Sequence, residues 1–302
     1  MGTLTAQIQL TEAELKLLQT LVYQECGMFF DERRIHFLRD RVQRRLKACN
    51  SESFYSYYRL LTSREGKAEL TALLENLTVN ETSFFRAKPQ LELFQKTILE
   101  QVLNKKQAAK DFALRVWSAG CSTGQEPYTL AMMICDALAY YYLRNPAPGV
   151  EMPAAKPIVP PPWKVEVLAS DMSYSGLLTA QQGMYSESQV ESVDYTSRLR
   201  YFDKLSDKYA IKAALKGLIQ FDFHNLKTDF LPRRNDIIFC RNVMIYFDEA
   251  EQKRLIDKFY HCLNPEGYLF VGHAESLFGL STKFRMLHMN NATAYQRIEA
   301  SE

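Results

Sequence analysis

Residues 117–127 read WSAGCSTGQEP. The run before them, FALRV at 112–116, is short and apolar with a β-branched end, which reads as a strand. The run after them, YTLAMMICDAL at 128–138, spaces its apolar residues as a helix does. Two glycines and several small residues therefore sit at a strand-to-helix junction. Glycine lets a backbone turn sharply and lets a ligand come close, and a helix N-terminus offers free N–H groups with partial positive charge. Read alone, this loop is either a tight turn or a ligand cradle, and the glycine pair does not decide between them. Outward from it the pattern repeats. Strand-like runs stand at 114–118, 165–170, 219–224, 237–240, 267–271 and 293–297, with helical spacing between most of them. Such alternation predicts an α/β fold built on a doubly wound parallel sheet.

The 302 residues allow one large domain or two ordinary ones. A hydrophobic content of 47% with 24% charged residues is that of a globular chain able to bury a sizeable core. The net charge of +2 exerts no overall pull toward nucleic acid or membrane. No run approaches the roughly 20 apolar residues of a membrane span, and the opening MGTLTAQIQLTEAEL lacks the charged and apolar regions of a signal peptide. The six cysteines include no Cys-x-x-Cys pair, which argues against a zinc site and against a disulfide framework. A cytoplasmic protein with reduced thiols and no metal is expected. Seven of the eleven prolines crowd residues 145–162, which excludes helix and inner strand and predicts a surface loop between the first helix and second strand of the sheet.

Residues 10 to about 75 have helical spacing and open on Thr11 and Glu14, a capping box. Within them, 33–47 reads RRIHFLRDRVQRRLK. On one helix, Ile35, Leu38, Val42 and Leu46 would form an apolar stripe, with Arg33, Arg34, Arg41, Arg44 and Arg45 on the opposite arc. That arc is either a solvated face or a docking surface for an acidic partner. A further helix is expected over 90–110.

In an open α/β sheet, ligands bind beyond the C-terminal ends of the strands. The tails of the first four predicted strands are the glycine loop, Asp171, His224-Asn225-Leu226 and Arg241-Asn242-Val243. An acid ending the second strand is placed to accept hydrogen bonds from a ribose diol, although Asp171 by itself would read as a helix N-cap. The loop is not Gly-x-Gly-x-x-Gly and nothing marks a pyrophosphate site. An adenosyl cofactor without pyrophosphate fits, and S-adenosylmethionine is the candidate.

Six stretches now stand together: NETSFFR (80–86), WSAGCSTGQEPYTLAM (117–132), ASDMS (169–173), FHNL (223–226), DIIFCRNVMIYFD (236–248) and GYLFVGHAESL (267–277). In order and spacing they resemble the CheR-type chemotaxis receptor glutamate methyltransferases, over nearly the whole chain. The resemblance implies an all-helical N-terminal domain over 1–88, with a basic substrate-docking helix. It implies a Rossmann-like S-adenosylmethionine-dependent methyltransferase domain over 89–302, with a small inserted β-subdomain at about 184–217. The implied activity is O-methylation of glutamate side chains on the cytoplasmic helical region of a chemoreceptor. The implied cofactor site is Asn80, Thr82, Arg86, Gly120, Glu126, Asp171, Asn225, Leu226, Asn242 and Val243. Arg86 and Tyr246 would stand beside the reacting methyl group and the incoming glutamate. Arg34, Arg41, Arg44 and Arg45 would dock the glutamate-rich receptor helix. The expected partner is the cytoplasmic domain of a chemoreceptor, with no nucleic acid, no membrane insertion and a monomeric enzyme. YFDKLSDKY at 201–209 lacks the extra glycine-bearing turn of members that grip a receptor C-terminal peptide, so no peptide tether is expected.

Elementary chemistry agrees with those roles. Methyl transfer from a sulfonium to a carboxylate is an in-line displacement that needs no strong base, because glutamate is already ionised near pH 7. Alignment is the main requirement, and it supplies on the order of 7–11 kcal/mol in favourable intramolecular models. Arg86 would hold the carboxylate in its planar fork, and Tyr246 would orient it by one hydrogen bond. His224 then reads as a structural or cofactor-neighbouring ring, and Cys121 and Cys240 as thiols without an activating setting. The competing reading is an RNA or small-molecule methyltransferase. Against it, the fourth strand runs into RNVMIYF and not into the Asn/Asp-Pro-Pro-aromatic stretch of amino-group methylators.

Overall fold

A computed structural model describes residues 10–145, 157–228, 232 and 234–299. The chain separates into two compact units, one running to Val79 and including Tyr246–Glu251, the other spanning Asn80–Ile245 and the chain from Gln252 onward.

Among the described residues the first unit carries the helices α1 (Glu12–Cys26), α2 (Ile35–Ala48), α3 (Phe54–Leu61) and α4 (Lys67–Leu77). The predicted capping box starts α1: Glu14 N donates to Thr11 Oγ1 and Thr11 N donates to Glu14 Oε2, at 3.3 and 3.0 Å. Gly27, with φ of 78°, ends it in the left-handed conformation that glycine adopts without strain. A second box, Ser53 with Ser56, opens α3. Leu38, Val42 and Leu46 are buried along α2, as their spacing predicts, while Ile35 is half-buried. The helix starts later than its charge pattern suggests. Asp31 accepts from the backbone N of Arg34 at 3.0 Å and holds a turn there, so Arg33 and Arg34 precede α2 and do not share its arc.

The second unit opens with α5 (Lys88–Leu93), a π-helical turn (Phe94–Ile98) and α6 (Leu99–Ala108), one unbroken run of helical backbone. Then follow β1 (Ala113–Ala119), α7 (Gln125–Arg144), β2 (Lys164–Asp171) and α8 (Tyr174–Gln182). A small insertion comes next: β3 (Met184–Ser186), α9 (Tyr195–Tyr201), β4 (Phe202–Lys204), β5 (Lys208–Ile211) and α10 (Ala213–Lys216). The main fold resumes with β6 (Ile219–Phe223), β7 (Asn235–Cys240), α11 (Glu249–Cys262), β8 (Leu263–Val271), β9 (Phe284–Met289) and β10 (Ala292–Arg297). The main sheet has the order β6-β2-β1-β7-β8-β10-β9, and the insertion forms its own antiparallel sheet, β3-β5-β4.

Five strands are parallel, as expected, but β10 runs antiparallel to both β8 and β9. The wholly parallel sheet of the sequence reading is therefore corrected at one edge. The missed strand, β9, is that edge, and Arg285, Met286, His288 and Met289 along it are exposed, so it shows no apolar alternation. The parallel strands behave differently. β7 is buried at all six positions, the mark of a strand covered on both faces. Register partners Phe239 and Phe270 stack with centroids 4.4 Å apart, and Phe94 meets Phe239 edge-on at 5.2 Å. Trp117 packs edge-on against Phe259 of α11 at 5.5 Å. These pairs fix the sheet between its helices.

Of the proline-rich loop, residues 146–156 lie outside the described residues. Among the described residues no helix is long and apolar enough to cross a membrane, and no cluster of His, Cys, Asp or Glu is arranged to hold a metal.

Candidate active site

β1 ends at Ala119, and the chain folds back over the end of β2: Gly120 N and Cys121 N both donate to the carbonyl of Ser170, at 2.8 and 3.0 Å. Gly120 has a φ of +90°, and a Cβ there would come within 2.4 Å of Val243 Cγ2. Gly124, at φ +95°, is the N-cap of α7, where a Cβ would come within 2.9 Å of both Ala180 Cβ and the Tyr185 hydroxyl. The loop is thus bare backbone at two positions closed to any side chain.

Asp171 ends β2 and secures that loop. Its Oδ2 accepts from Ser122 N and its Oδ1 from Ser173 N, both at 2.8 Å. The N-cap of α8 is Ser173 and not Asp171. Asn80 joins the same group, donating from Nδ2 to Ser173 Oγ at 3.0 Å and accepting at its carbonyl from Ser122 Oγ at 3.1 Å. Thr82 is half-buried and makes no side-chain hydrogen bond among the described residues.

Glu126, in the first turn of α7, faces a buried arginine. Its Oε1 accepts from Ser118 Oγ at 2.7 Å, and its Oε2 lies 3.2 Å from Arg241 Nε, with 14% and 4% of the two side chains exposed. Arg241 Nη2 donates to the carbonyl of Arg86 at 2.9 Å. Arg86 is flanked by two residues in left-handed backbone, Phe85 at φ 54° and Ala87 at φ 60°, a conformation that persists only where surroundings impose it. They do so here. Phe84 is buried edge-on against Tyr185 and Phe202 of the inserted sheet, at 4.9 and 5.6 Å, and Phe85 N donates to Thr129 Oγ1 of α7. The Arg86 guanidinium makes one hydrogen bond among the described residues, to the Glu81 carbonyl at 3.0 Å, leaving most of its donors open to an anion.

Beyond β6, His224 N donates to the Asp171 carbonyl at 3.0 Å, so Asn225 and Leu226 continue from the end of the neighbouring strand. Asn225 Oδ1 accepts from Lys227 N, and Lys258 of α11 donates to the carbonyls of Leu226 and Lys227. The His224 ring lies edge-on to Trp117, with centroids 6.2 Å apart, in keeping with a structural role. Beyond β7, Asn242 is left-handed at φ 60°, and its N–H donates to Glu275 Oε2 at 2.9 Å. Burial, followed by neighbouring carboxylates, pushes the Cys121 and Cys240 thiols well above their ordinary range, so neither offers a nucleophilic thiolate.

The structure thus brings Asn80, Arg86, Gly120, Glu126, Asp171, Asn242 and Val243 into one hydrogen-bonded and packed neighbourhood, with Asn225 and Leu226 on the adjoining strand tail. Arg241, read from sequence only as part of a strand tail, belongs to it, as do Ser122, Ser173 and Glu275, to which the sequence assigns no individual role. Each acts on backbone or on a partner far away in the chain, which no local spacing reveals.

The remaining predicted residues lie in the helical unit. The Tyr246 carbonyl accepts from Phe29 N at 2.8 Å, and the Arg34 guanidinium sits 4.8 Å from the Tyr246 ring centroid. Arg41 lies over Phe37 at 4.9 Å, and Arg44 is exposed. Arg45 turns inward: its Nε donates to Glu69 Oε1 at 3.0 Å and its Nη2 to Glu69 Oε2, while Tyr57 donates to the same carboxylate at 2.7 Å. Arg45 and Arg34 were expected on a free basic arc. Both are corrected to residues engaged within the unit.

Two family models match this chain. The CheR methyltransferase all-alpha domain covers residues 13–78, and the CheR methyltransferase SAM-binding domain covers 80–144 and 156–293. The chain belongs to the CheR methyltransferase family. Its relatives include the chemotaxis protein methyltransferase of Borreliella burgdorferi, 32% identical over 275 residues that span 90% of this chain and 91% of that protein. The chemotaxis protein methyltransferase of Salmonella typhimurium is 31% identical and that of Escherichia coli 30%, each over 94% of this chain, spanning 90% and 91% of those proteins. This CheR-family chain is a methyltransferase whose cofactor is S-adenosylmethionine, and its fold is the helical domain plus Rossmann-like domain of that family.

The donor set suits that cofactor. S-adenosylmethionine presents a ribose diol and an ammonium as donors and a carboxylate as acceptor. Asp171 places a carboxylate at the end of β2, Glu126 adds a second acceptor in the first turn of α7, and Arg86 supplies guanidinium donors. Arg241 Nη1 is buried without a hydrogen-bond partner among the described residues, an unmet donor in the same wall.

Proposed function

We propose that this CheR-family enzyme esterifies glutamate side chains on the cytoplasmic helical region of a chemoreceptor, acting in the cytoplasm. What carries the reading is the match to both CheR domains in order on one chain, whose relatives at 30–32% identity are chemotaxis protein methyltransferases. The proposed cofactor contacts are Asn80, Thr82, Arg86, Gly120, Glu126, Asp171, Asn225, Leu226, Asn242 and Val243. S-adenosylmethionine supplies a methyl group on a positively charged sulfur.

This chain's residues then need only to bring a carboxylate into line. Arg86 is suited to hold that carboxylate, because a guanidinium presents paired donors in a plane and is charged at any working pH. Tyr246 is proposed to orient the acceptor with its hydroxyl. No residue is required to remove a proton, since the attacking carboxylate is already ionised. The docking surface is proposed to centre on Arg41 and Arg44, with Arg34 and Arg45 supporting the fold around it. No receptor-tail peptide tether is included in the reading, and the enzyme is proposed to act as a monomer.

The test is incubation with S-adenosylmethionine and a receptor cytoplasmic fragment, followed by peptide mapping. One added methylene on glutamate residues of the receptor helices is expected. Methylation confined to lysine, to nucleic acid or to small amines would overturn the proposal.

A further inference from the structure

We propose that Glu275 is a positioning residue for methyl transfer: its carboxylate fixes the backbone from Asn242 to Ile245, which leads directly into Tyr246. This rests on the reading of that segment as cofactor contact and approach to the acceptor. Glu275 Oε2 accepts from Asn242 N at 2.9 Å and from Gly272 N, and Oε1 accepts from Ile245 N at 3.1 Å. Three backbone donors thus converge on one side chain. An ionised carboxylate suits this, because it accepts at both oxygens and donates at neither.

Three further observations give the clamp its purpose. Asn242 is left-handed at φ 60°, a conformation asparagine tolerates better than most residues, and the Glu275 carboxylate meets the N–H that this turn presents. Val243 follows and places Cγ2 where a side chain at Gly120 would stand. Gly272 leaves room for the carboxylate, since a Cβ there would lie 2.7 Å from Glu275 Oε2 and 2.9 Å from Asn242 N. Glu275 is itself anchored: its N–H donates to the Gly272 carbonyl at 2.9 Å, and nearby Leu277 is buried and donates to the Tyr295 hydroxyl at 3.3 Å. One carboxylate therefore sets where Val243 meets the glycine loop and holds the backbone as far as Ile245, the residue before Tyr246.

The two ends of the clamp are separable. In Glu275→Gln one oxygen remains, and it stays with the two donors of Asn242 and Gly272. The new amide N–H then faces the N–H of Ile245, so the hold is lost at that end alone. Glu275→Ala removes both ends. Titration calorimetry with S-adenosylmethionine should find the affinity of Glu275→Gln within about twofold of wild type, and that of Glu275→Ala weaker by about tenfold, the scale of charge-assisted hydrogen bonds. With saturating cofactor, kcat of Glu275→Gln should fall about tenfold while KM for the receptor fragment is unchanged. Amide exchange at Ile245 should quicken in that variant while exchange at Asn242 stays slow. A kcat within about twofold of wild type in both variants would overturn the proposal. So would equal losses of cofactor affinity and kcat in Glu275→Gln. If the wild-type chain forms no methyl ester on receptor, the glutamate-methylation reading fails, and the exchange and calorimetry measurements still decide whether Glu275 holds this backbone.

Discussion

Gly120 and Val243 share one space: the glycine has no side chain, and a valine methyl occupies the place where one would project. Gly120→Ala would meet two penalties, a left-handed φ of +90° and a 2.4 Å approach to Val243 Cγ2. We expect it to weaken S-adenosylmethionine binding by at least about tenfold, since strain of order 1–3 kcal/mol falls on the loop itself. Adding Val243→Ala removes the collision but not the φ strain, so it should restore only part of the affinity. Calorimetry on the single and double variants measures this, and full binding by Gly120→Ala alone would contradict it. At this scale the sequence was informative where a residue type is chemically distinctive: Gly120, Asp171, Glu126 and Arg86 all fall in short recognisable stretches. It was silent where a side chain serves a distant backbone. Nothing near residue 275 says that its carboxylate holds Asn242, and nothing near Arg241 says that it reaches the carbonyl of Arg86.

Among the elements, α2 joins two tasks in one helix. Leu38, Val42 and Leu46 bury one side, while Arg45 is drawn toward Glu69 on α4. The amphipathic period was legible. The inward turn of Arg45 was not, because its partner lies twenty-four residues away on another helix. Burial alone would raise the Glu69 carboxyl, but hydrogen bonds from Arg45, Tyr57 and Cys49 outweigh it and hold it below its ordinary 4.5. A carboxyl lowered by folding stabilises the fold fully above its ordinary value, and that contribution is lost as pH falls through the folded value. Glu69→Gln should therefore destabilise the helical unit at pH 7 by about 2 kcal/mol, with the gap to wild type closing in strong acid. Urea unfolding at both pH values tests this, and a gap independent of pH would contradict it. The docking surface calls for different positions. Charge reversal at Arg41 and Arg44 leaves the Glu69 cluster intact. It should slow receptor methylation about tenfold at physiological salt through lost steering, with cofactor affinity unchanged. Equal methylation rates would remove α2 from the docking surface. Element type in the sheet was readable for strands buried on both faces, such as β7. It was not for the exposed edge strand β9 or for the inserted strands β3 and β4, three residues each and too short to show a period.

At the scale of the whole molecule, the chain combines a helical domain that carries basic residues with a Rossmann-like domain, as in the CheR family, and the strand tails of the second are the proposed cofactor site. The proposed acceptor of the methyl group is a receptor carboxylate. A carboxyl methyl ester hydrolyses in base to volatile methanol, whereas methyl groups on nitrogen or on an aromatic ring stay in place. The direct measurement is transfer of labelled methyl from S-adenosylmethionine to receptor-containing membranes of the source cell, followed by base treatment of the resolved bands. The account predicts volatile label released from a receptor band, and much less from the Arg86→Ala variant. Label that survives base, or that sits on nucleic acid or amines instead of a receptor, would contradict it.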